Sequence, residues 1–191
     1  MSFFKVVPNI TIMAPKDFEE LEKMLEFAID LKRPVVIRYP RGGEGKNKFE
    51  KHEEIELGKS EIIKKGKDLS IIAIGKTVDK AIDISKELEK NNIDVEVINT
   101  RFLKPLDTKS LIESIEKTRN VITIEDSTLV GGLGTSIKEL IVDNKIKNVN
   151  IETFGYKDEF IKHGSVEELE TLYGLNVDSI VEKATIKVKN N

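Results

Sequence analysis

Residues 69–99 read LSIIAIGKTVDKAIDISKELEKNNIDVEVIN. The run from Leu69 to Gly75 is apolar, rich in isoleucine and too short for a helix, which is the pattern of a strand buried on both faces. Val78, Ala81, Ile82, Ser85 and Leu88 then recur three and four residues apart, which predicts a helix from Thr77 to Glu89. DVEVIN (94–99) is a second strand. Two strands joined by one helix of about a dozen residues form a parallel pair with a right-handed crossover.

The same grammar extends towards the C-terminus. NVITIE (120–125) is a strand, GTSIKELIVDN (134–144) a helix and NVNIET (148–153) another strand. Asp107 is placed to cap a helix running through Lys117. GKSEIIKKG (58–66) reads as an antiparallel edge strand ending in a turn, and helical pieces are expected over 157–162, 165–173 and 176–187. The predicted fold class is α/β: a three-layer α/β/α domain with a mostly parallel sheet.

Towards the N-terminus a smaller unit precedes it. Asn9–Met13 is a short strand stopped by Pro15, and Asp17 is an N-cap with Glu20 as its capping-box partner. Phe18, Leu21, Met24, Leu25, Ala28 and Leu31 mark an amphipathic helix, and Val35–Arg38 reads as a buried parallel strand. Residues 42–56 are glycine-rich and charged, and read as a linker. The expected division is a partial α/β segment at 1–43, a linker at 44–56 and the main domain at 57–191.

Basic and acidic residues nearly balance, 31 against 34, for a net charge of −3, so no nucleic-acid footprint is expected. No apolar run approaches the roughly 18 residues that span a bilayer. Cysteine is absent, which excludes disulfides and thiolate metal sites and suits a reducing compartment. The expectation is a cytoplasmic protein with no membrane or nucleic-acid partner.

Ligands of parallel sheets bind beyond the carboxyl ends of the strands. In VITIEDSTLVGGLGTSIKEL (121–140), Gly131, Gly132 and Gly134 could bring backbone N–H groups to a phosphate, with Glu152 as a ribose-binding acid. Ile137 stands where the third glycine of the dinucleotide fingerprint belongs, however, and the loop is long. A bend with close helix packing is the alternative. In NTRFLKPLD (99–107), Arg101 and Lys104 read as structural or interface residues. His52 and His163, the only histidines, lie in no metal or catalytic spacing, and His163 precedes a capping Ser165 with Glu168 at the third helical position. RYPRGG (38–43) is either a basic strand end or an anion grip, since arginine is suited to bidentate phosphate contacts.

Taken in order and spacing, PNITIMAPKDFEELEKML, RPVVIRYPRG, NTRFLKPLD, EDSTLVGGLGTSIKE and DEFIKHGSVEELETLYGL resemble the C-terminal third of the 1-deoxy-D-xylulose-5-phosphate synthase family, in the transketolase superfamily. The resemblance runs from Val7 to Ala184. It implies a thiamine-diphosphate enzyme with Mg2+ that condenses pyruvate with glyceraldehyde 3-phosphate, releases CO2 and works as a homodimer. Under it, residues 1–43 are the end of the pyrimidine-binding domain and 57–191 the transketolase C-terminal domain. It also implies that Arg41, the second arginine of RYPRG, faces the substrate phosphate, with Arg38 as a candidate neighbour. The family's cofactor and metal motifs have no counterpart here, so no catalytic, cofactor or metal residue is expected in this chain and no cofactor is expected to bind it. The chain alone is expected to be inactive, and to be an artificial piece rather than a natural split subunit. Two alternatives stay open: a nucleotide-binding α/β module, and a dimerisation or scaffold domain of another thiamine-diphosphate enzyme.

Overall fold

A computed structural model describes residues 2–40, 43–49 and 53–189. Its centre is a five-stranded sheet in the order β3-β5-β4-β7-β8. These strands are β3 (Glu61–Lys64), β4 (Leu69–Ala73), β5 (Val95–Asn99), β7 (Asn120–Thr128) and β8 (Asn150–Tyr156). Edge strand β3 runs antiparallel to β5, and every other neighbouring pair is parallel.

Alternation along the buried strands feeds two cores. Leu69, Ile71, Ala73, Val95, Val97, Ile122 and Ile124 face α2 (Thr77–Lys90) and α6 (Val177–Lys189), where Val78, Ala81, Ile84, Leu88, Ile180 and Ala184 meet them. Ile72, Ile74, Ile98 and Val121 face α3 (Thr108–Thr118) and α4 (Leu133–Asp143), against Leu111, Ile115, Leu133, Ile137 and Leu140. Helices therefore cover both faces of a mostly parallel sheet, the three-layer α/β/α arrangement expected. Asp107 caps α3 by accepting from the backbone N–H of Ser110. Ser165 and Glu168 form a capping box at the start of α5 (Val166–Leu172).

The N-terminal segment builds a second sheet in the order β2-β1-β6. Strand β1 (Thr11–Met13) pairs in parallel with β2 (Val35–Ile37) and antiparallel with β6 (Phe102–Lys104). Met13 packs with Met24 of α1 (Phe18–Leu31) and Phe102, while its neighbour Ile12 points into the α3/α4 core. One short strand thus belongs to both layers, and its pairing with β6 joins the two ends of the sequence division drawn at 43 and 57.

Several local expectations change. β6 is an extra strand of three residues. β1 starts at Thr11, because Asn9 takes a left-handed turn at φ 59°. β2 is a half-buried edge strand, not a buried one. Of the predicted stripe on α1 only Met24 is fully buried, and Phe18 and Leu25 are exposed. Glu20 does not close a capping box: its carboxylate accepts from the backbone N–H of Lys16, one residue before the cap. No helix forms over 157–162, where Phe160 stands fully in solvent with no apolar surface to fold against.

Candidate functional site

The sheet order places a topological switch between β4 and β7. The chain leaves β4 towards β5 on one side and returns to β7 on the other, so a crevice opens beyond their carboxyl ends. Lys76 follows β4 and Asp126 lies near the outer end of β7. Arg38, the residue after β2, fills the space between them. Its guanidinium donates to the Asp126 carboxylate at 3.2 Å and to the Asp126 carbonyl, while Lys76 Nζ lies 3.2 Å from the same carboxylate oxygen. The Arg38 backbone N–H meanwhile donates to the Met13 carbonyl at 2.9 Å. Arg38 thereby ties the small sheet to the large one.

The electrostatics follow from this crowding. Burial alone would raise the Asp126 carboxyl, but Lys76 and Arg38 outweigh it and hold the group below its ordinary value. Burial lowers the Lys80 ammonium, against the opposing pull of Glu170 at 2.7 Å. Burial, with Asp126 and Glu170 nearby, pushes the Tyr156 hydroxyl up. A cleft of about 290 Å³ adjoins these groups, lined among others by Glu44, Lys46, Lys76, Lys80 and Glu170.

The stretch beyond Arg38 is fastened on its far side as well. Glu44 accepts from the Phe18 N–H at 2.9 Å. Asn47 donates to Asp79 through its backbone at 2.7 Å and through its side chain at 2.9 Å, and to Asp83 at 3.0 Å. Arg41, the residue assigned to the substrate phosphate from the sequence, lies outside the described residues, as do Gly42 and His52. Tyr39 is exposed, and Pro40 lines a small recess with Lys16, Phe18 and Lys76.

Arg101 is a structural residue. It is buried in a left-handed turn at φ 56°, within a quartet of two cations and two carboxylates. Arg101 Nε donates to Glu20 at 2.7 Å and Nη2 lies 3.3 Å from Glu61, while Lys16 Nζ lies 3.1 Å from Glu20 and 2.8 Å from Glu61. Asn99 donates to both carboxylates, and the Lys16 ammonium sits 5.3 Å from the centre of the Phe49 ring. Lys104 donates to the carbonyls of Lys5 and Val7, holding a short 3-10 turn at Ser2–Val6.

The glycine-rich loop is not an open phosphate cradle. Buried Glu125 fills the N-terminus of α4, accepting from the N–H groups of Leu133 at 3.0 Å and Gly134 at 2.9 Å. A Cβ on Gly132 would lie 2.1 Å from the Glu125 carboxylate, so glycine is needed for that close approach. Glu152 is the third residue of β8, not its end, and faces Lys187 at 3.9 Å. This internal carboxylate occupies the place a phosphate would take, which favours the reading of the glycines as a bend with close helix packing. His163 is exposed. Among the described residues no group of three or more His, Asp or Glu could hold a metal ion.

Asp126, Lys76, Lys80 and Glu170 were not predicted from the sequence. The available signal was positional: Gly75-Lys76 and Glu125-Asp126 both follow apolar strand runs, but only the sheet order makes those two strands neighbours.

This layout, a parallel sheet with an antiparallel edge strand and a crevice at the switch between β4 and β7, defines a transketolase-type C-terminal domain. The family model for the transketolase C-terminal domain matches residues 58–180, and the chain belongs to that family. Relatives in sequence include 1-deoxy-D-xylulose-5-phosphate synthases. The enzyme of Clostridium tetani is 39% identical over 183 residues, and that of Dictyoglomus turgidum 44% over 187. Each match covers 96% of this chain but only 29% and 30% of the relative, so the chain spans less than a third of their length. Among solved structures, a split-gene transketolase in the form of an inactive beta4 tetramer is 28% identical, with a TM-score of 0.90 over 98% of this chain and 61% of that one. A transketolase variant from Pichia stipitis shares the fold at TM-score 0.75 and 20% identity, over 98% of this chain and 26% of that one. No helix among the described residues is long and apolar enough to cross a membrane.

Proposed function

We propose that this chain acts as the C-terminal third of a 1-deoxy-D-xylulose-5-phosphate synthase, joining pyruvate and glyceraldehyde 3-phosphate with loss of CO2. The observation that carries the reading is the match of 95–96% of the chain to enzymes of that name at about 40% identity. In the assembled enzyme, thiamine diphosphate supplies the carbanion chemistry. Its diphosphate and Mg2+ would be held by protein outside this chain. The contribution made here is the RYPRG strand end, with Arg41 facing the substrate phosphate, and the domain that carries it. The proposed division keeps residues 1–43 with the pyrimidine-binding domain, 44–56 as a linker and 57–191 as the C-terminal domain, in a cytoplasmic homodimer.

The test is turnover. The chain joined to the remaining two-thirds of such an enzyme is expected to form product from both substrates with cofactor and Mg2+, and the chain alone to form none. Product from the chain alone would refute the division of labour, and none from the joined protein would refute the assignment. The likeness to the split-gene transketolase favours a second reading, in which this polypeptide serves as a separate subunit. Mixing it with a separately expressed N-terminal portion would then restore turnover without a covalent link.

A further inference from the structure

We propose that Asn47 pegs the connection between the two sheets onto α2, so that the connection is a fixed strap and not a hinge, and β1, α1 and β2 open and close with the main domain as one body. The coupling belongs to this chain itself and does not depend on the activity proposed above.

Three observations carry it. First, Asn47 is bonded through its backbone and through both ends of its side-chain amide. Its backbone N–H donates to Asp79 Oδ1 at 2.7 Å. Its amide nitrogen donates to the same oxygen at 2.9 Å, to the Asp79 carbonyl at 3.1 Å and to Asp83 Oδ1 at 3.0 Å. Its amide oxygen accepts from the Lys86 ammonium. Asp79, Asp83 and Lys86 follow one another at helical spacing on α2, so one side chain spans about two turns of the helix. Asparagine suits the place because it carries donors for the two carboxylates and an acceptor for the ammonium. Second, the strap lies against α2 too closely for a side chain. A Cβ on Gly45 would lie 2.3 Å from Asp79 Cγ and 2.6 Å from Asp79 Cβ. Gly45 and Asn47, two residues apart, thus bear on the same aspartate. Third, the small sheet is held to the main domain at points the strap does not touch. β1 pairs with β6, the Ala14 N–H donates to the Arg101 carbonyl at 2.9 Å, and Ile12 is fully buried in the α3/α4 core. Just beyond β2, Arg38 pairs with Asp126 of β7 at 3.2 Å. A hinge works by changing the backbone angles of a few loop residues while the bodies on either side stay whole. A swing here would break the peg, an ion pair and a strand pairing together.

Two measurements on the 191-residue chain test it. Native-state hydrogen exchange at low urea reads the coupling. The N–H groups of Thr11, Ala14 and Arg38 donate to the carbonyls of Pro34, Arg101 and Met13. They should share an opening with the N–H groups of β4 and β7, with protection factors within about tenfold of theirs. Protection lower than that would reveal a unit that opens separately and would overturn the single body. Trypsin reads the peg, because it cuts only backbone that has come free. The bonds after Lys46 and Lys48 should be cut slowly in the parent, and at least about tenfold faster in Asn47→Ala, in Asp79→Ala and, through its displaced backbone, in Gly45→Ala. Cleavage after Lys64 in β3, which requires the large sheet to open, should change little. The Asn47→Ala, Asp79→Ala double variant should be cut no faster than either single one. Rapid cleavage of the parent after Lys46 or Lys48, an unchanged rate in Asn47→Ala, or additive single effects would each overturn the peg. A matching rise after Lys64 would also overturn it, leaving only a general loss of stability.

Discussion

Substituting Glu61→Gln removes one charge from a buried quartet and keeps its shape. Glu61 lies on edge strand β3 yet is buried, with Lys16 at 2.8 Å and Arg101 at 3.3 Å. At an effective dielectric of about 20, those contacts correspond to roughly 5–6 kcal/mol each of gross attraction. Several kcal/mol per ion oppose this, the cost of removing the charges from water. The net value of the intact quartet is therefore small, but its balance matters. Glu61→Gln leaves two cations facing Glu20 alone. Breaking one partner of such a pair costs about 3–5 kcal/mol, and the amide oxygen can still accept one hydrogen bond, so the lower end, about 3 kcal/mol, is expected. In a chain of this length that lowers the Tm by roughly 6–12 °C. Urea unfolding followed by circular dichroism measures the loss directly. Adding Lys16→Met restores equal numbers of positive and negative charges and should recover at least about 1 kcal/mol. A loss below about 0.5 kcal/mol for Glu61→Gln would refute the reasoning, since it would mean that water already screens the quartet.

Further outcomes follow from the same contacts. Glu125→Ala leaves the first N–H groups of α4 without their carboxylate and should cost about 2 kcal/mol; sulfate should then raise the Tm of the variant more than that of the parent. The parent should melt unchanged in NAD or ATP, and a rise of several degrees would support the nucleotide reading. Gly132→Ala should destabilise by at least about 1–3 kcal/mol, because its Cβ would have to enter the space of the Glu125 carboxylate. The Asp126 carboxyl is held below its ordinary 3.8, so it binds protons less readily folded than unfolded. Its contribution is therefore present above that value and is lost as pH falls through the lower folded pKa. An acid unfolding curve should show this contribution in the parent and not in Asp126→Asn.

Much of the main domain was legible because its strands are buried on both faces. LSIIAIG and NVITIE are rich in isoleucine and valine on both faces, as strands covered on both sides are, and the caps at Asp107 and Ser165 are local motifs that complete themselves within four residues. The quartet was not legible, for an equally physical reason. Lys16 and Glu20 are four apart, which is the spacing of an ordinary solvated helix pair, and nothing near them announces Glu61 or Arg101. Their burial comes from the pairing of β1 with β6, a strand too short to leave a periodic signal. Glu20 was pulled from its predicted capping role into that network. Asp126 was hidden in the same way: it is one acid after an apolar run, and it meets Lys76 only because β4 and β7 are neighbours. The α1 stripe misled in the opposite direction. Its periodicity is real, but Phe18 and Leu25 of that stripe are exposed and only Met24 is fully buried.

The central claim is that the RYPRG strand end presents Arg41 to the phosphate of the substrate. Steady-state kinetics of Arg41→Ala in the full-length enzyme test it most directly. Loss of a charge-assisted contact of about 1.5–3 kcal/mol predicts a rise of about 10- to 100-fold in KM for glyceraldehyde 3-phosphate, with KM for pyruvate unchanged. An equal rise for both substrates, or no rise for either, would contradict the claim.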